Sequence, residues 1–132
     1  LAASVRHGDL AWETRVVAAH HRMERTQKTN TEGSGPITQA WAEAHQDFHQ
    51  ALCSAAPSRR LREIAASLRA AAEVYRRWSI PLEEQPRDAS EEHRELLELA
   101  IARDPEAAAE ALTRHLTLTR DIIFIGATRP TS

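Results

Sequence analysis

Residues 40 to 52 read AWAEAHQDFHQAL and set two histidines, His45 and His49, four positions apart among Trp41, Phe48 and Leu52. On a helix, residues three, four and seven apart share a face. His45 therefore joins the stripe of Trp41, Phe48 and Leu52, and His49 follows one turn on. Two further histidines fall on or beside apolar stripes: His93 with Leu96, Leu97, Ala100 and Ile101, and His115 with Ala108, Leu112, Thr119 and Ile122. Neutral imidazoles ligate divalent transition metals; a pair at i, i+4 supplies two ligands from one helix, and neighbouring helices bring the others. Imidazole suits zinc, copper, nickel or iron without choosing among them. A single histidine on an apolar face is ordinarily a hydrogen-bonded core residue. Two readings therefore stand side by side: a metal site of four imidazoles from three helices, or polar residues filling gaps in a core. His7, near a helix end, and His21 read as surface residues.

Other chemistry has less support. HQDFH resembles the zinc-protease pattern HExxH, but Gln46 stands where the water-activating glutamate would be, and helical phase turns Asp47 away from the histidine pair. The one cysteine, Cys53, closes a helix with no histidine plainly beside it, and reads as a small packing or capping residue rather than a nucleophile.

The elements that must carry these side chains are helical. Four glycines, many alanines and no alternating β-branched runs predict an all-α domain without strands. Leu1 to His7 reads as the end of one helix, stopped by Gly8. Asp9 caps the next helix, with Trp12, Val16, Ala19, His20 and Met23 on its stripe. KTNTEGSGP, residues 28 to 36, is the obvious loop. Pro36 and Thr38 open the helix of the quoted stretch, which runs to about Ser54. Ser58 caps a long helix with an inner face of Leu61, Ile64, Leu68, Ala72, Tyr75 and Ser79, ending before Pro81. Asp88 with Glu91 forms a capping box for the helix of His93. Asp104 caps the last helix, with Pro105 in its first turn.

Composition bounds the class. A chain of 132 residues, 42% of them hydrophobic, suffices for one core and one domain. A formal net charge of -2 gives no basic excess with which to hold nucleic acid. One cysteine excludes an internal disulfide and fits a reducing compartment, so the expectation is a cytoplasmic protein. No run approaches the length of a membrane helix, and no signal peptide is visible. Leu1 in place of an initiator methionine raises the expectation that further chain precedes it.

GDLAWETRVVAAHHRMERT, WAEAHQDFHQAL, YRRWSI, EEHRELLELAIARDPEAAAEALTRHL and TRDII together resemble the C-terminal effector-binding domain, called FCD, of FadR-type regulators in the GntR family. The resemblance runs from about Ala3 to Ile123. Its most specific parts are Phe48 with His49, Glu92 with His93, the RDPEAA turn, and His115 with Leu116. It implies an antiparallel bundle of about six helices around a central metal and effector cavity, with residues 1–132 as one such domain. A winged helix-turn-helix domain, absent from this chain, would precede it and hold the DNA. By motif, His49, His93 and His115 match the family's three metal-binding histidines. The family's aspartate stands four residues before the first of these, where this chain has His45, a departure shared with the glutarate-sensing, CsiR-like subgroup. Imidazole in place of carboxylate leaves a bound cation with more net positive charge for an anionic effector. It also makes affinity more sensitive to mild acid, since a ligating histidine must be neutral.

The resemblance further implies a divalent metal as cofactor, zinc first, with nickel, iron or manganese as alternatives. It implies a small carboxylate effector, no membrane partner and a homodimer. Arginine grips carboxylate in a planar, two-pronged way, so Tyr75 and Arg76 on the long helix are the first effector-binding candidates, with Arg15 and Thr119 behind them. A metal-dependent helical-bundle enzyme and a metal-free helical interaction module are the competing readings. The first lacks an evident acid or base beside the imidazoles.

Overall fold

The helices after the first begin where a short polar side chain can satisfy the backbone N–H groups that a first turn leaves without partners. In the computed structural model, which describes residues 1–31, 34–78 and 88–128, α1 (Ala2–His7) ends at Gly8. Asp9 then caps α2 (Leu10–Arg25), accepting from the Trp12 N–H at 2.8 Å. Thr38 caps α3 (Gln39–Cys53), and the Ser58 hydroxyl accepts from Leu61 N at the start of α4 (Arg59–Trp78). Asp88 caps α5 (Ala89–Ile101), and Asp104 caps α6 (Pro105–Thr128) by accepting from Ala107 N. All five caps stand where the sequence places them.

The core is the sum of the predicted stripes. Trp12, Val16, Ala19 and Met23 of α2 pack with Trp41, Ala44, Phe48 and Leu52 of α3, and Leu96, Ala100, Ala108 and Ala111 of α5 and α6 join them. Each large side chain so buried contributes about 1.5–3 kcal/mol. α2 runs antiparallel to α3, and α5 to α6. Trp12, at the start of α2, donates its indole N–H to Ala51 O near the end of α3, and on α5 and α6 the pairs Glu92–His115 and Glu95–Arg114 face each other. The architecture is the expected helical bundle.

Two expectations need correction. The polar run after α2 is not a plain loop: β1 (Thr29–Thr31) and β2 (Ser34–Ile37) pair antiparallel in a small hairpin. Its ends are held by the last residues before it and the first after it, Thr38 N donating to Lys28 O and the Thr38 hydroxyl to Gln27 O. Packing of α2 on α3 brings the two ends together, so backbone pairing follows without the apolar alternation that marks a strand in sequence.

The second correction concerns α4. Its predicted inner face points outward: Leu61, Ile64, Leu68 and Tyr75 are 64%, 48%, 67% and 65% exposed. The side turned inward carries half-buried Arg62, Ala65, Ala66, Arg69 and Glu73. Arg62 donates to Ala56 O, and Arg69 lies 3.8 Å from the Cys53 sulfur. Ser79 and Pro81, expected to close this helix, lie outside the described residues. On α5, Ile101 is likewise more exposed than its stripe implies, at 40%.

Candidate metal centre

α3 presents His45 and His49 on successive turns, α5 presents His93 and α6 presents His115. These four side chains meet, each offering a ligating nitrogen, with all four nitrogens within 4.8 Å of one another. His49, His93 and His115 are buried and His45 is half-buried. Aromatic neighbours fix the rings. The Trp41 indole stacks on His45 with centroids 4.9 Å apart and planes 17° apart. Phe48, fully buried, lies against both His49 and His93.

The nitrogen contacts are short. His45 Nε2 stands 3.1 Å from His49 Nε2 and 3.2 Å from His93 Nε2. A neutral imidazole Nε2 carries either one proton or one lone pair, so it can complete one such hydrogen bond and not two. Hydrogen bonding within the trio therefore accounts for one of these two contacts and not both. A shared cation satisfies all the lone pairs at once. Four nitrogens at the usual zinc distance stand about 3.3–3.4 Å apart in tetrahedral geometry, close to the spacing of the trio. The residues present fit a divalent metal ion.

Glu92 adds a carboxylate that the sequence reading used only as part of a motif. Its Oε2 lies 2.7 Å from His115 Nδ1, with the two side chains only 20% and 6% exposed. The adjacency of Glu92 to His93 was the available clue, but only the antiparallel register of α5 and α6 shows that it reaches His115.

Other expected residues fall as follows. Asp47 pairs with Arg22 at 3.3 Å on the outer surface, away from the centre as helical phase predicts. Cys53 is a half-buried free thiol. His7 and His21 are exposed. Thr119 is half-buried one turn beyond His115, its hydroxyl donating to His115 O at 2.9 Å. Tyr75 and Arg15 are left at the surface, Arg15 in an open groove with Arg22, Asp47, Gln50 and Ser54. The side chain of Arg76 lies outside the described residues.

His20 falls on the predicted stripe of α2 but was assigned no role by the sequence. Its ring meets Phe48 edge to face at 5.2 Å, and its buried Nε2 has no hydrogen-bond partner among the described residues. Burial chiefly lowers its pKa below the usual histidine value; Glu24 opposes that shift, and the positive charges of Arg94 and His21 add to it.

Comparison with known proteins agrees with this architecture. The chain is 32% identical over 123 residues to an uncharacterized HTH-type transcriptional regulator, BphR, of Paraburkholderia xenovorans (strain LB400). That alignment covers 93% of this chain and 50% of BphR, so the chain spans about half the length of the curated relative it matches. No solved structure matches. The FCD domain family matches residues 1–118, nearly the whole of the bundle just described, and this chain belongs to that family.

Proposed function

We propose that this domain is the metabolite-sensing part of a bacterial transcriptional regulator of the GntR/FadR type. In this reading it is a sensor and not an enzyme. His45, His49, His93 and His115 hold a divalent cation, zinc before nickel, iron or manganese, and a small carboxylate docks on that cation. The observation that carries the reading is the convergence of four imidazole nitrogens from three helices within 4.8 Å of one another, with Nε2 separations of 3.1 and 3.2 Å near the spacing of tetrahedral ligands. Likeness to a transcriptional regulator supports the regulatory setting.

The side chains divide the work. Four neutral imidazoles leave the charge of the cation largely uncompensated in their own shell, which favours an anionic ligand. Thr119, on the turn after His115, is the effector contact nearest in sequence to a ligand. Tyr75, Arg76 and Arg15 would have to reach the effector's far end. The regulator acts as a homodimer. A winged helix-turn-helix domain outside this chain reads the DNA, and the effector shifts the balance between two packings of the dimer.

Metal analysis of the purified chain with and without chelator, followed by a thermal-shift screen of small mono- and dicarboxylates, tests this. One bound metal per chain and metal-dependent stabilisation by a carboxylate, without turnover of that carboxylate, is the expected outcome. A metal-free chain indifferent to chelator removes the reading, and product formation replaces the sensor with an enzyme.

A further inference from the structure

We propose that Glu92 is the carboxylate of this centre, acting through His115 rather than on the cation. The inference rests on reading the four imidazoles as a metal site. None of the four grouped side chains is acidic, but among the described residues Glu92 joins an anionic oxygen to the cluster, its Oε2 2.7 Å from His115 Nδ1. In that contact the ring nitrogen donates and the carboxylate accepts. His115 is thereby held with its proton on Nδ1, and its Nε2 lone pair is left for the cluster, where its ring lies 4.8 Å from that of His93 and 5.0 Å from that of His49.

Placement makes the pairing specific to this fold. Glu92, closing the first turn of α5, and His93 are consecutive, so their side chains diverge by about 100°. His93 points into the cluster while Glu92 crosses to α6 beside it. A carboxylate hydrogen-bonded to the far nitrogen of a metal-bound imidazole fixes ring and tautomer and makes the ligand more basic. In this chain it also brings one negative charge to a centre with four neutral ligands. A divalent cation with its imidazoles and Glu92 then carries one net positive charge, matched to a single carboxylate of an incoming effector.

A glutamate in a first helical turn is also favoured by the helix dipole alone, so the test needs a readout that such a role would not move. Zinc affinity is measured by competition with a chromogenic chelator. The tautomer of His115 is read from ring 15N shifts in metal-free, histidine-labelled protein, assigned with His115→Gln. Wild type is expected to show the proton on Nδ1. Glu92→Ala is expected to bind zinc about 10–100-fold more weakly and to move the proton toward Nε2, with unchanged helical circular dichroism. Glu92→Gln, whose amide oxygen still accepts from Nδ1, keeps the tautomer but loses part of the affinity with the charge, and it carries the test if the alanine variant loses helicity. Zinc binding as tight as wild type in both variants overturns the proposal, as does a wild-type His115 protonated on Nε2. A wild-type chain that binds no zinc overturns the metal reading instead, while the tautomer measurement, made without metal, still decides whether Glu92 orients His115.

Discussion

His45 and His93 approach each other from α3 and α5 until their Nε2 atoms stand 3.2 Å apart. His93 is the more deeply buried of the two, at 2% exposure, on a helix whose other inward residues are Leu96 and Ala100. Replacing it with alanine removes a proposed ligand without altering Leu96 or Ala100. His93→Ala is expected to lose stoichiometric metal while the helical circular dichroism stays in place. Retained metal at wild-type stoichiometry, measured by atomic emission after dialysis, would contradict the assignment.

His45 is the proposed ligand position where the family resemblance leads one to expect aspartate. Carboxylate suits manganese and magnesium, whereas imidazole suits zinc, nickel and copper. His45→Asp is therefore expected to keep a metal site and to raise affinity for manganese relative to zinc. Competition titrations with both metals measure that ratio, and an unchanged ratio would show that His45 is not in the coordination shell.

The histidine quartet was legible in the sequence because its phase is local: His45 and His49 are set by helical spacing from Trp41, and His93 and His115 by spacing from Leu96 and Ala108. Caps were legible for the same reason, since Asp9, Thr38, Ser58, Asp88 and Asp104 each act on a backbone three residues away. What escaped depends on partners distant in sequence. Periodicity identifies an apolar face on α4 but says nothing of which neighbour it meets, and Leu61 and Leu68 face outward. The hairpin at Thr29–Ile37 has no alternating pattern because its pairing follows from the packing of its flanking helices. Glu92 stood only as part of a motif with His93 until the register of α5 against α6 set it beside His115.

Gly8 is fixed by space rather than by its backbone angle. Its φ of -63° suits any residue, but a Cβ there would stand 2.2 Å from the Trp12 ring. Trp12 is 1% exposed and tied to Ala51 O at 3.0 Å, so it has little freedom to yield. Gly8→Ala is expected to cost about 1–3 kcal/mol through overpacking. Urea denaturation measures this; a change below about 0.5 kcal/mol, the range of a neutral surface substitution, would mean that the ring moves freely.

Arg103 is the described non-glycine residue with positive φ, at 58°, just past the end of α5. A left-handed backbone there costs about 1–2 kcal/mol for a residue with a Cβ, and the side chain explains why arginine is tolerated. Its guanidinium bonds to Val5 O, Gly8 O and Glu13, and lies 5.0 Å from the centre of the Trp12 ring. It ties the α5–α6 turn to the α1–α2 junction. Arg103→Ala is expected to destabilise by about 1–2 kcal/mol, allowing for the partial exposure of the ion pair. Arg103→Gly loses the same contacts but relieves the backbone, so it should be the less damaging variant. The reverse order in denaturant midpoints would place the strain elsewhere.

His20 gives the fold a pH dependence whose sign is fixed by its environment. Burial lowers its pKa in the folded state below the 6.5 of a free histidine, with Arg94 and His21 adding to the shift and Glu24 opposing it. The folded state therefore binds fewer protons at this residue than the unfolded chain does. Its contribution to stability is present in full above pH 6.5 and is lost as pH falls from there through the folded-state value. In metal-free protein, melting temperature is expected to fall between pH 7.5 and pH 5.5 more steeply for wild type than for His20→Gln, which cannot titrate. Comparison within the metal-free state removes the contribution of metal release, and the four clustered imidazoles are common to both proteins. Parallel curves for the two would show that the buried Nε2 is protonated as readily in the fold as in water.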